Sequence, residues 1–337
     1  MASVIEVDNL TKTYAGGVTA VKEVSFKVEE GEIFGFLGPN GAGKSTTIMM
    51  LTTLVKPTSG RASVAGFDVV REPNQVRLCL GYVSQELAVD DNLTGRDNLF
   101  IQAGFYHLPR KEIEARCEEL LKLMELHERA DDLVETYSGG MRKRLDIAAG
   151  LLHRPKVLFL DEPTLGLDIQ TRRQIWQYIN YLREEVGMTI FLTTHYMDEA
   201  DALCDRIAII DRGVIKAIDA PAKLKSRIGG DIVNIRFAGA GREKMAAAVR
   251  AINSLPVVDS VKPRNDECIV VVKNGDAAIP EIFRVIQPLE VWISSVTLKR
   301  PSLDDVYLHF TGRELRNEFG SKEDAMRSRV IMRRVRG

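Results

Sequence analysis

From Ile5 to Ile218, short runs of consecutive apolar residues alternate with longer segments whose apolar positions recur every three or four residues. The first pattern suits strands buried on both faces and the second suits helices packed over them, so an α/β domain with a largely parallel sheet is predicted. Residues 33–37, 157–160 and 188–193 are predicted strands, and residues 46–55 a helix joined to the first of them by Gly-rich sequence. Residues 93–130 are rich in Glu, Leu, Lys and Arg, with Ile113, Leu120, Leu121 and Met124 at helical spacing, which predicts a helical insertion. The pattern breaks around Pro221 to Gly230, and Gly229-Gly230 marks a boundary. Beyond it the order is strand 232–237, helix 242–254, strands 257–263 and 267–273, helix 277–286 and strand 291–298, the βαββαβ order of a small ferredoxin-like α+β domain. Ser302 and Asp305 have capping-box spacing and open a short helix through Phe310. The expected organisation is a first domain over 1–228 with its helical insertion at about 86–150, an accessory domain over 229–312, and a tail over 313–337.

Charge narrows the classes. Lys+Arg 46 against Asp+Glu 47 leaves a net charge of −1, so no whole-chain basic field draws the protein to nucleic acid or an anionic membrane. Only the end of the tail, from Lys322, is basic, with Arg327, Arg329, Arg333, Arg334 and Arg336 against Glu323 and Asp324. A solvated, flexible end is expected there, with a lipid- or partner-binding patch as the alternative. No apolar run reaches the ~18–20 residues of a membrane-spanning helix, and Glu6 and Asp8 near the N-terminus fit a first strand and not a signal peptide. Cys79, Cys117, Cys204 and Cys268 lie far apart without a Cys-x-x-Cys pair, so they are expected to be buried or incidental thiols.

The chemistry begins at Gly38-Pro39-Asn40-Gly41-Ala42-Gly43-Lys44-Ser45, which fits G-x-x-x-x-G-K-[ST] between a predicted strand and a helix. Glycines let the backbone wrap a polyphosphate, and successive N–H groups and the helix N-terminus meet its charge. Lys44 then reaches the β- and γ-phosphates, and the Ser45 hydroxyl ligates Mg²⁺. The strand 157–160 ends in two carboxylates: Asp161 to hold Mg²⁺, and Glu162 to polarise the water that attacks the γ-phosphate. The third strand ends in Thr193-Thr194-His195, at the same sheet edge where ligands of parallel sheets collect.

In this company the sequence resembles the ATP-binding cassette of ABC transporters. Gln85 in Tyr82-Val83-Ser84-Gln85-Glu86 looks like the Q-loop, Ser138-Gly139-Gly140 is similar to the signature motif, Leu165-Gly166-Leu167-Asp168 to the D-loop, and His195 to the H-loop. Tyr14 sits where the family places a ring against adenine, and Thr46 extends the phosphate loop. The resemblance implies a P-loop cassette that hydrolyses ATP with Mg²⁺. It implies two copies meeting head to tail, with Ser138, Gly139 and Gly140 of one closing on the phosphate held by Lys44 of the other. His195 would contact the γ-phosphate, Gln85 would sense metal or water while touching the membrane partner, and Asp168 would link the two sites. Tyr137-Ser138-Gly139-Gly140-Met141 and the ending Arg300-Pro301-Ser302-Leu303-Asp304-Asp305-Val306-Tyr307-Leu308 look like the daunorubicin-type drug-resistance exporter ATPases. That branch implies a separate multi-spanning permease, a peripheral place on the cytoplasmic face of the cell membrane, and export of a drug, lipid or polysaccharide-like substrate.

The signature departs from the family pattern with Tyr137 for Leu and Met141 for Gln, and Ile169 follows the D-loop aspartate where proline is frequent. A soluble ABC ATPase acting on DNA or ribosomes is the alternative. It is disfavoured by the balanced charge, the lack of sustained heptads and the single Gly-Lys-Ser loop. A nucleotide-regulated binding module without turnover would require Glu162 to be a bystander.

Overall fold

A computed structural model of the chain describes residues 3–227, 229–238, 242–264, 267–289 and 291–312. The basic tail falls outside the described residues. One compact unit extends through Pro221, and a second begins at Ala222.

The first unit opens with β1 (Ser3–Thr13), β2 (Thr19–Glu29) and β3 (Ile33–Leu37), and the end of β3 leads into α1 (Lys44–Leu51). There follow β4 (Ser59–Val64), β5 (Phe67–Asp68), α2 (Pro73–Cys79) and β6 (Leu80–Val83). Helices α3 (Gly95–Phe105), α4 (Arg110–Leu123) and α5 (Gly139–Leu151) come next. The unit closes with β7 (Val157–Asp161), α6 (Ile169–Glu184), β8 (Thr189–Thr194), α7 (Met197–Leu203), β9 (Arg206–Asp211) and β10 (Val214–Asp219).

Six strands form the principal sheet in the order β10-β9-β3-β8-β7-β6, all parallel except the β9-β10 hairpin. Every residue of β3, β7 and β8 is buried, which is why apolar residues stand consecutively in them instead of alternating, with polar residues confined to the strand ends. A second, antiparallel sheet, β2-β1-β4-β5, was not anticipated beyond its first strand. Register shifts along the β1-β2 pair break the period-2 signal by which such strands are recognised. The two sheets share one core: Phe26 of β2 stacks on Phe34 at 5.4 Å between centroids, and Phe36 meets Phe191 at 5.4 Å.

The second unit comprises α8 (Pro221–Arg227), β11 (Asp231–Ala238), α9 (Arg242–Asn253), β12 (Val258–Arg264), β13 (Glu267–Val272), α10 (Gly275–Ile286), β14 (Trp292–Lys299) and α11 (Leu303–Thr311). Its four strands run antiparallel in the order β12-β13-β11-β14, and β11 through β14 give the βαββαβ order read from the sequence. Val233, Ile235, Phe237, Val270 and Val272 pack against Ala248, Ile252, Ala278, Ile282 and Ile286 in a core of its own. The Ser302 hydroxyl accepts from Asp305 N–H and the Asp305 carboxylate accepts from Ser302 N–H, the reciprocal capping box expected for α11. Gly230, taken from the sequence as a boundary residue, lies inside this unit: a Cβ there would stand 2.0 Å from the Val272 carbonyl oxygen. Its lack of a side chain serves close packing, not linker freedom.

Candidate nucleotide site

The carboxyl ends of β3, β8 and β7 are neighbours in the sheet, so the residues that follow them converge. After β3 the loop Gly38, Pro39, Asn40, Gly41, Ala42 and Gly43 turns into α1. Gly43 sits at φ 109° at the N-cap, with the Ala20 carbonyl 2.6 Å from where a Cβ would project, so only glycine fits. Lys44 is buried, and its ammonium donates to the carbonyls of Gly38 (2.7 Å) and Pro39 (3.1 Å) and pairs with Glu162 Oε1 at 3.1 Å. Ser45 Oγ donates to Asp161 Oδ1 at 3.3 Å, and Tyr14 Oη lies 3.4 Å from Thr46 Oγ1 with the Lys12 ammonium over its ring.

Glu162 occupies the left-handed region at φ 49°, uncommon for a residue with a side chain. Its N–H is held by both the carbonyl and the hydroxyl of Thr193 at 3.1 Å, which fixes that turn against β8. His195 Nδ1 lies 3.2 Å from Glu162 Oε2, and since an ionised carboxylate only accepts, the ring proton sits on Nδ1. Burial alone would raise the Glu162 carboxyl; the His195 hydrogen bond and the Lys44 charge outweigh it and hold the group down to about 2. Asp161 moves the other way. Burial raises it, and the adjacent Glu162 charge adds to the rise against the hydrogen bonds from Thr193 and Ser45. Thr193, which the sequence reading passed over, thus holds both carboxylates in place. Its signal was its position two residues before His195, where the apolar run Ile190-Phe191-Leu192 ends.

Ser45 and Asp161 offer a hydroxyl and a carboxylate side by side, the oxygen donors that a small hard cation such as Mg²⁺ takes together with phosphate oxygens. Among the described residues, no three His, Cys, Asp or Glu side chains gather to hold a metal on their own.

The structure does not bring the remaining predicted residues into this cluster. Gln85 is exposed in the loop after β6. Ser138 caps α5, its oxygen accepting from Met141 N–H at 3.2 Å while its own proton stays available to a further acceptor. Gly140 packs on α6, where a Cβ would stand 2.4 Å from Thr171 Cγ2, and Gly139 lies over Leu167. Asp168 caps α6, accepting from the N–H groups of Gln170 and Thr171 and from the Thr171 hydroxyl. Tyr137 is buried and donates its hydroxyl to the Arg129 carbonyl, so the tyrosine in place of leucine ties the signature to the preceding turn.

A parallel sheet whose phosphate loop faces an acidic strand end and a histidine on the adjacent strand is the architecture of the P-loop nucleotide hydrolases. Residues 21–165 match the family ABC transporter, and residues 220–311 match the family ATP-binding protein DrrA1-3-like, C-terminal domain. The chain is 40% identical to the daunorubicin resistance ATP-binding protein DrrA2 of Streptomyces coeruleorubidus, covering 93% of this chain and 96% of that one. It is 38% identical to the linearmycin resistance ATP-binding protein LnrL of Bacillus subtilis, over 93% and 100% of the two chains. Among solved structures, the dimeric post-hydrolysis state of the ATP-binding cassette MJ0796 bound to ADP and Pi superposes with a TM-score of 0.58 at 30% identity, covering 64% of this chain and 98% of that one. The chain belongs to the ABC transporter ATP-binding proteins, in the branch that carries a DrrA-like C-terminal domain, and is an ATPase.

Proposed function

We propose that the chain is the ATP-hydrolysing subunit of an exporter, working as a pair of identical copies on the cytoplasmic face of the cell membrane and driving a separate membrane-spanning permease. The observation that carries this is the convergence of Lys44, Glu162 and His195 in one buried cluster beside Ser45 and Asp161. In it, the loop N–H groups of residues 38–46 and the Lys44 ammonium hold the ATP phosphates, and Tyr14 supports the base. Ser45 and Asp161 would hold Mg²⁺, with Gln85 reaching it or the water; when bound, the ion neutralises charge on the phosphate oxygens. Lys44 serves two anions, since the ammonium that pairs with Glu162 is the one that a γ-phosphate attracts. Drawing it toward phosphate weakens the hold that keeps the Glu162 carboxyl near 2, and Glu162 gains the proton affinity needed to accept a proton from the attacking water. His195 keeps that carboxylate oriented through Nδ1.

The distribution of the site supports pairing. Ser138, Gly139, Gly140 and Asp168 stand outside the cluster around Lys44, which fits the family arrangement in which each copy offers one half of a phosphate site to a second. For the membrane partner, Phe100, Ile101 and Phe105 on α3 are exposed, and α3 is bonded to the loop after β6 through Asn98, whose side chain accepts from Asp90 N–H. No helix among the described residues is long and apolar enough to cross a membrane, so a spanning partner supplies the pathway. Among a drug, lipid or polysaccharide-like substrate, relatives named for daunorubicin and linearmycin resistance support a drug. Affinity purification of the tagged chain from detergent-solubilised cells tests the assembly. A polytopic membrane protein should copurify at stoichiometric level, and recovery of ribosomal or DNA-associated partners with no membrane protein would overturn it.

A further inference from the structure

Two charged residues of α5 are buried where the ATP site makes no use of them. Lys143 and Asp146 retain only 5% and 4% side-chain exposure and face each other at 3.4 Å on successive turns. Both also reach the loop after β6, on opposite sides of Gln85. The Lys143 ammonium donates to the Ser84 carbonyl at 2.9 Å, and Asp146 Oδ1 accepts from Ala88 N–H at 3.3 Å. Further along α5 the helix lies directly against β6: a Cβ on Gly81 would stand 2.2 Å from the Gly150 carbonyl oxygen. The helix whose first turn carries Ser138 therefore seats its far end on β6 and grips the Gln85 loop at two points in between.

A buried ion pair is a poor device for stability alone. Removing both charges from water carries a desolvation penalty that a well-packed apolar pair avoids. Burial lowers the Lys143 ammonium and raises the Asp146 carboxyl, each partly restored by the other. What an apolar pair cannot supply is a donor for the Ser84 carbonyl together with an acceptor for the Ala88 N–H.

We propose that Lys143 and Asp146 are positioning residues that clamp the Gln85 loop to the signature helix, so that phosphate contact at Ser138 and the placement of Gln85 move as one body. The proposal rests on the nucleotide-sensing role given to that loop above. It requires two bonds to the loop backbone, not two charges, and this separates it from a purely structural role. The full-length chain, carrying Leu87→Cys with an environment-sensitive fluorophore on a Cys79→Ser background, reports loop movement. Cys79 is the one thiol of the four that is not buried. In this parent, ATP should change the emission.

The pair K143M/D146L removes the clamp and keeps the volume. It should bind ATP as the parent does but lose the emission change, with kcat falling about 2- to 30-fold at little changed KM. The pair K143Q/D146N removes the charge but keeps an amide donor for Ser84 and an amide acceptor for Ala88, and should retain both responses. An undiminished response in K143M/D146L would overturn the clamp, and so would a lost response in K143Q/D146N, because charge would then be the operative property. If the parent itself binds and hydrolyses ATP with no emission change, the sensing role of the Gln85 loop fails first, and the clamp with it.

Discussion

Glu162 is held by the Lys44 ammonium on one oxygen and the His195 ring on the other, and its own role can be tested directly. Glu162→Gln keeps the shape of the side chain and the His195 contact but cannot accept a proton. Phosphate release should fall about 10²- to 10⁴-fold while nucleotide binding, followed with a fluorescent ATP analogue, persists. Unchanged phosphate release would remove Glu162 from the role of base. A second carboxylate illustrates the opposite sign of pKa shift. Glu199 of α7 is fully buried and accepts from the Thr164 hydroxyl at 2.6 Å and from Trp176 Nε1 at 3.0 Å. Burial raises its pKa above the ordinary 4.5, with those hydrogen bonds only partly opposing. An acid raised in the folded state stays protonated after the unfolded chain has ionised, so its contribution to stability is complete below about pH 4.5 and is lost as pH rises toward the folded pKa. In melting temperatures across pH 4 to 8 the wild type should therefore lose ground to Glu199→Gln as pH rises from about 4.5. Parallel curves would show that the folded carboxyl titrates as the unfolded one does.

Helix α5 meets α6 at a contact that tolerates no side chain. Gly140→Ala places a methyl 2.4 Å from Thr171 Cγ2, and Thr171 cannot turn away because its hydroxyl is donated to Asp168. Denaturant unfolding should show a loss of about 1–3 kcal/mol for Gly140→Ala. Thr171→Ser, which deletes the offending methyl and keeps the hydroxyl, should restore most of it; failure of the double variant to recover would place the strain elsewhere. At this scale the sequence was informative where an element is specified locally. The strands β3, β7 and β8 are continuous apolar runs with polar stops, the phosphate loop is a contiguous motif, and β11 to β14 with their helices alternate cleanly. It was silent where partners lie far apart in the chain. Lys143 and Asp146 look like a solvated i,i+3 pair until β6 and the Gln85 loop cover them, and Thr164, Trp176 and Glu199 meet only because α6 and α7 pack together.

The whole chain joins a nucleotide-hydrolysing unit to a ferredoxin-like unit that has its own sheet and core and contributes none of the residues gathered around Lys44. This separation predicts which property survives when the second unit is removed. The cut belongs after Pro221 and not at Gly229-Gly230, because Gly230 packs on the Val272 backbone and a later cut would leave α8 and the start of β11 without their neighbours. A chain ending at residue 221 keeps β3, β7, β8 and the loops that follow them, so its affinity for ATP should stay within about threefold of the full chain, under roughly 0.7 kcal/mol. Self-association measured by sedimentation, and recovery of the membrane partner by affinity purification, should fall by far more, because we propose that the second unit supports the contacts between the two copies. The two sets of measurements decide between separate roles and a shared fold. If ATP affinity falls in step with assembly, the ferredoxin-like unit is part of what holds the nucleotide site in shape.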